Sequence, residues 1–159
     1  MCEGRLMKQL ICLVFSAVVL MAGRYEKIEK DGVIIDYSTS LMWQEANITK
    51  IQYKIESAIS RCETLSLGGY EDWRLPNFNE LYSLMDIEKP KHFIDPIFEL
   101  LDYNETLYEA NIYYWSSTTF NINNESASNY RNWSVNFYLG SGHHFLRSNF
   151  VRCVRSIKE

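Results

Sequence analysis

Gly68-Gly69-Tyr70-Glu71-Asp72-Trp73-Arg74-Leu75-Pro76-Asn77-Phe78-Asn79-Glu80-Leu81 carries the densest local instruction in the chain. Two glycines release the backbone after a helical pattern, and an aromatic, a cation and an apolar residue then follow in extended order. Pro76 closes that run: it fixes its own φ and pushes Leu75 toward β or polyproline geometry. Asn77 is a good helix N-cap, and Glu80, three residues on, can reach back to the Asn77 amide in a capping box. Leu81, Leu84 and Met85 then give the new helix an apolar stripe. The unit predicted is helix, Gly-Gly exit, short strand, Pro-Asn stop, capped helix.

Working outward toward the N-terminus, Ile55, Ala58, Ile59, Cys62 and Leu65 recur at helical spacing, so the first helix has one apolar face, with Cys62 on it. Before it, Val33 to Tyr37 and Leu41 to Gln44 flank Ser38-Thr39-Ser40 and read as a hairpin. Residues 24–31 are charge-rich and read as a short tether. Toward the C-terminus, Lys89-Pro90-Lys91-His92 marks a loop, the segment around Asp95-Pro96 reads as one or two helical turns, and residues 102–111 are polar and loop-like. Tyr113 to Thr118 has strand composition, and Phe120 to Ser128 reads as a loop. Trp133, Val135, Phe137 and Leu139 alternate with Asn132, Ser134, Asn136 and Tyr138, Gly140-Ser141-Gly142 supplies a turn, and residues 143–155 return. Helices early and strands late predict an α+β chain: two helices on a small, mainly antiparallel, twisted sheet built largely from the C-terminal half.

At 159 residues, with 47% apolar and 14% aromatic content, the chain suits one domain with its own core. Residues 32–157 are assigned to it. The N-terminus is of another kind: Arg5 and Lys8 precede a run of apolar residues from Leu10 to Met21, and the small residues Ala22-Gly23 follow. That run is shorter than the roughly 20 residues that span a bilayer, so residues 1–23 read as a secretory signal peptide. The alternative is an uncleaved anchor, because Leu20 fits poorly three residues before a cut at Ala22. Removal of the leader takes Cys2 and Cys12 with it and leaves Cys62 and Cys153. In an exported chain such a pair predicts a disulfide, here one that ties the first helix to the last strand. A catalytic or metal-binding pair is the other reading, but neither cysteine has a second Cys or a His at ligand spacing.

The run from Gly68 to Leu81 also resembles the signature of the Lcl C-terminal domain family, named for the domain that ends a bacterial collagen-like adhesin. Three further blocks agree in order: Asp36-Tyr37-Ser38-Thr39-Ser40-Leu41-Met42-Trp43-Gln44, Tyr114-Trp115-Ser116-Ser117-Thr118 and Val151-Arg152-Cys153-Val154-Arg155. The resemblance implies a C-type-lectin-like fold and a binding role outside the cytoplasm, in the periplasm, at the cell surface or secreted. It also implies framework roles for Trp43, Trp73, Arg74, Pro76, Trp115 and Arg152.

Charge and aromatic content suggest where binding would occur. Residues 24–125 hold nine Lys and Arg against eighteen Asp and Glu, whereas residues 126–158 hold Arg131, Arg147, Arg152, Arg155 and Lys158 and no acid. With His143 and His144, that segment could face a sulfated or carboxylated polymer; alternatively its arginines pair with the acidic helices. Tyrosines are also frequent in the second half, and aromatic faces stack on sugar rings. The expected surface therefore lies within residues 103–149, with Tyr113, Asn129, Tyr130, Arg131, Tyr138, His143, His144 and Arg147 as candidate ligand residues, set against half-buried packing for any single tyrosine.

Calcium-dependent sugar binding is not supported, since Leu75-Pro76-Asn77 and Asn132-Trp133-Ser134 depart from the motifs of C-type lectins and the late region lacks clustered carboxylates. No metal, cofactor or nucleic acid is expected. Adjacent His143 and His144 point to opposite faces of a strand and cannot share one substrate. No nucleophile elbow or phosphate cradle is present in the sequence. The expectation is a non-catalytic module that binds a glycan or polyanion. The alternatives are an envelope module that binds protein or another copy of itself, and an oxidase related to formylglycine-generating enzymes, which would need free thiols. Membrane contact is expected only through an uncleaved leader.

Overall fold

The capped helix forms where Asn77 places it. Asn77 Oδ1 accepts from the Glu80 amide at 2.9 Å, and Glu80 Oε2 accepts from the Asn77 amide at 2.8 Å. The computed structural model describes residues 23–45, 51–89, 92–98, 112–121, 130–145 and 148–158. Expectations for the leader and for loop residues 99–111 and 122–129 lie outside them.

In chain order the described elements are β1 (Tyr25–Ile28), β2 (Val33–Asp36), β3 (Leu41–Gln44), α1 (Ile55–Glu63), α2 (Phe78–Tyr82), β4 (Tyr114–Asn121), β5 (Tyr130–Asn136), β6 (Ser141–Phe145) and β7 (Val154–Ser156). Among the described residues the chain is α+β, with two antiparallel sheets and two α-helices. One sheet has the order β1-β2-β3-β7 and the other β4-β5-β6. The expected hairpin is β2–β3, with Ile34 opposite Trp43. β7 returns from the far end of the sequence to pair with β3, Trp43 opposite Val154.

Several expectations are corrected. Residues 25–28 are not a tether: β1 pairs with all four residues of β2, and Arg24 grips Asp36 through Nε and Nη2 at 3.3 and 3.0 Å. There are two sheets where one was expected: the smaller comes wholly from the C-terminal half, as expected, whereas three of the four strands in the larger precede α1. Gly68 and Gly69 do not cap α1, which ends at Glu63 with Thr64 as its cap. Instead, with φ of +61° and +80°, they form a tight turn closed by reciprocal Leu67–Tyr70 backbone bonds of 3.1 Å. Phe120 and Asn121 continue β4 rather than opening a loop. Over the described residues 92–98 the Asp95-Pro96 segment is a turn, and the rest of the expected helical stretch lies outside them. The late hairpin turns at Phe137–Gly140, where Gly140 has φ +63°, and β6 already begins at Ser141. Residues 149–156 are not a simple return strand. Phe150 bonds the backbone of Tyr113 and Trp115 on the smaller sheet, and the chain then crosses to the larger one, where Cys153 O accepts from Gln44 N.

Two apolar clusters result. One gathers Ile34, Trp43, Leu81, Leu84, Phe98, Tyr114, Val135, Phe137 and Phe150. The other gathers Val33, Met42, Ala58, Cys62, Trp73, Leu75, Trp115, Val151 and Cys153. Cys62 and Cys153 are bonded, with Cα atoms 5.5 Å apart and both residues fully buried. Trp43, Trp73 and Trp115, expected as framework residues, are buried.

Candidate functional site

The framework residues of the sequence blocks converge on the seam between the sheets. Arg74 pairs backbone with Val154 in both directions at 2.9 Å, an isolated bridge in place of the short strand expected before Pro76, and sends its guanidinium to both oxygens of Glu80 at 2.7 Å, so the capping acid also anchors this segment. Burial works to raise the Glu80 pKa, but the bonds from Arg74 and the Asn77 amide outweigh it and hold the carboxyl below its ordinary value. Pro76 O accepts from Ser117 N at 2.8 Å, which fastens the stop to β4. Arg152 is fully buried; it donates to Gln44 O at 2.7 Å and to Glu45 O, and its guanidinium lies 5.4 Å from the Phe98 ring and 5.8 Å from that of Tyr114. Arg155 binds Asp72 at 2.6 and 3.2 Å and lies 3.7 Å over the Tyr70 ring. The Arg155 hydrogen bond, ahead of the opposing desolvation, lowers the Asp72 pKa. Thus Arg152 and Arg155, two of the arginines that suggested a basic surface, are engaged in framework contacts; Arg155 pairs with an acid, though Asp72 lies between the helices and not on one.

The smaller sheet has two different faces. Residues alternate along β5, so Arg131, Trp133 and Val135 share one face and Asn132, Ser134 and Asn136 share the other. The polar row is not the exposed one: Ser134 and Asn136 are fully buried. Its groups are satisfied by neighbouring backbone. Ser134 Oγ donates to His143 O at 3.0 Å, Asn132 Nδ2 donates to Ser116 O at 3.2 Å, and Asn136 Oδ1 accepts from the Tyr138 and Leu139 amides at 2.8 and 3.0 Å.

On the other face a run of half-exposed rings leaves the core and continues toward the far end of β5. Tyr82 and Phe78 stack within α2, their centroids 5.4 Å apart. Phe78 meets Trp133 at 5.2 Å, and Trp133 meets both Phe120 at 5.7 Å and His144 at 5.5 Å. Phe120 and His144 are themselves stacked, 4.8 Å apart and 15° from parallel. Arg131 lies opposite Phe120 in the register, next to Trp133 along this face. Gly142 makes room for the strip, because a Cβ there would sit 2.9 Å from Phe78 Cε2 and Cζ. The Phe78 amide donates to Thr118 Oγ1 at 2.9 Å and fixes the start of α2 on β4.

Of the candidate ligand residues, the structure brings Arg131 and His144 together on this face. His143, exposed, points to the other, where it lies edge-on to Tyr113 at 5.8 Å; the predicted opposition of the two histidines holds. Tyr113 is buried at 7% exposure, so its ring is a packing group rather than an open surface. Tyr138 is half-buried against His92, 4.4 Å between centroids. Tyr130 begins β5 opposite Asn121. Asn129 and Arg147 lie outside the described residues. Sequence reasoning missed Phe78, Tyr82, Phe120 and Trp133. The signal available was parity: Trp133 and Arg131 are two apart in an alternating strand. Among the described residues, no three His, Cys, Asp or Glu side chains are placed to hold a metal ion.

The model of the Lcl C-terminal domain matches residues 32–155. The chain belongs to the Lcl C-terminal domain family. No curated protein and no solved structure matches it. All four blocks from Asp36 to Arg155 fall inside the matched span. The ring strip of this family member draws on positions outside those blocks, except for Phe78.

Proposed function

We propose that this Lcl C-terminal domain is an exported, non-catalytic binding module of C-type-lectin-like architecture that recognises a surface glycan or polyanion. The ring strip from Tyr82 to His144, with Arg131 beside it, carries this reading. It is a contiguous, half-exposed aromatic surface next to a guanidinium, which suits ligands that combine apolar ring faces with hydroxyl or acidic rims. Export is supported by the leader-like residues 1–23 and by a buried disulfide of the kind kept in oxidising compartments. The same bridge engages the cysteine pair on which the oxidase reading relied. The surface expected within residues 103–149 is narrowed to β4–β6 and extended to α2.

The test is retention of the purified, disulfide-intact protein on a glycan array and on immobilised heparin. Binding to at least one ligand is expected, and silence on both removes the proposal. Export is checked by fractionation and by the mass of the mature N-terminus. A second reading, self-association within the envelope, is favoured by Ile87, 79% exposed, and by exposed Leu139. A stable oligomer in size-exclusion chromatography with light scattering, blind to glycans, would replace the first reading with the second.

A further inference from the structure

We infer that the strip takes a neutral hexopyranose polymer, held by ring stacking, rather than a polyanion. This rests on the binding reading above and selects within it. Charge decides the class. Affinity for a polyanion grows with the number of cations presented together, and it is lost as salt screens them. Among the described residues, α2 and β4–β6, which carry the strip, hold a single Lys or Arg, Arg131, and several of the other cations are engaged elsewhere. Arg24 binds Asp36, Arg74 binds Glu80, Arg155 and Lys158 meet Asp72, Lys89 lies between Asp86 and Asp95, and Arg152 is sealed inside. Arg131 is the one cation on the strip face that has no ion pair among the described residues. A single guanidinium is a hydrogen-bond fork for hydroxyls, not a track for a sulfated or phosphorylated chain. Glu80, on the helix that carries Phe78 and Tyr82, is paired with Arg74. A nucleic acid would also find rings to stack on, but its phosphates would meet the same shortage of cations.

The rings are set before any ligand arrives. Phe78 is seated over Gly142, its amide is tied to Thr118, and its helix is closed by the Asn77–Glu80 box. Trp133 is held between Phe78 and the Phe120–His144 stack. Little ordering remains for binding to impose, which favours a ligand whose individual contacts are weak and uncharged. Tyr82, 44% exposed, ends the strip, with exposed Asn79 on the same helix to bond hydroxyls.

The test is affinity electrophoresis of the full chain, disulfide intact, in native gels containing hydroxyethylcellulose, glucomannan or laminarin, and in parallel gels containing heparin or alginate, at low salt and at 0.5 M NaCl. Retardation by at least one neutral polymer is expected, unchanged by salt and weakened at least tenfold in Trp133→Ala. Tyr82→Ala, at an exposed position, gives the same direction if Trp133→Ala fails to fold, and Trp133→Phe retains most of the binding. Retardation by the anionic polymers alone, abolished by salt and indifferent to Trp133 and Tyr82, overturns the inference and leaves the binding module standing. Migration unaffected by every polymer overturns both.

Discussion

Reducing or removing the Cys62–Cys153 bridge is expected to cost this domain roughly 4 to 5 kcal/mol. The two residues are 91 apart in sequence, and the chain-entropy relation for closing a loop of that size gives about 4.6 kcal/mol at 25 °C. The bridge ties α1 to the segment that enters β7, so its loss releases the far end of the chain from the sheet formed by the first three strands. Both cysteines are fully buried in the cluster of Ala58, Trp73, Leu75 and Trp115, so neither sulfur meets a reductant while the fold is closed.

The assay is urea unfolding of the oxidised protein, of the protein reduced under denaturant, and of Cys62→Ser/Cys153→Ser. For a domain of this size, the loss corresponds to a drop in the thermal midpoint on the order of 10–25 °C. Dithiothreitol without denaturant should act only at the rate of opening. Two results would refute the reasoning: a loss below about 1 kcal/mol with an unchanged urea dependence, or rapid reduction of the native protein.

Other consequences are equally open to measurement. Arg152→Met leaves Gln44 O and Glu45 O without their donor inside the seam and should cost about 3–5 kcal/mol in urea unfolding, whereas Lys158→Met, at an exposed lysine, should be nearly silent. At Asp36, burial acts to raise the pKa but the bonds from Arg24, Ser38 and Thr39 prevail, so the folded value lies below the ordinary 3.8. Glu80 is likewise below 4.5. Stabilisation from both is complete above those ordinary values and is lost as pH falls through the folded ones; the thermal midpoint should fall below pH 4, less steeply in Asp36→Asn. Gly142→Ala drives a Cβ into the Phe78 ring and should cost about 1–3 kcal/mol, with a changed near-ultraviolet circular dichroism signal from Trp133.

What the sequence revealed was local or chemical. The Asn77–Glu80 box involves four consecutive residues, the 38–40 turn separates two short strands, and two cysteines in an exported chain have one way to pair. What it hid depended on distant partners or on a residue with two uses. Arg24-Tyr25-Glu26-Lys27-Ile28 looks like a solvated tether because its charges are those of an edge strand: Lys27 reaches Glu45, Arg24 reaches Asp36, and such charges also guard an open edge. Glycine with positive φ serves a helix cap and a tight turn equally, so Gly68-Gly69 could not be told apart from residue type alone. Asn132, Ser134 and Asn136 look exposed by polarity, yet short side chains that bond adjacent backbone can be buried at little cost.

These limits bear on function. The blocks by which the chain is recognised end at the seam: Trp43 and Met42 on β3, Trp73 and Arg74 before the stop, Trp115 on β4, and Arg152 to Arg155 crossing between the sheets. Each is buried or bonded to another block, so together they specify a frame and leave little of themselves for a ligand. A ligand must then meet residues between the blocks, and the ring strip draws four of its five members from there: Tyr82, Phe120, Trp133 and His144. Exchanging Trp133 or Tyr82 for residues of other chemistry should therefore change what is bound while the disulfide-closed frame keeps its unfolding midpoint. Exchanging Trp43 or Trp115 should collapse both together. A Trp133 variant that lost the frame as completely as a Trp115 variant would show that the strip is core and not surface, and the binding assignment would have to move elsewhere on the domain.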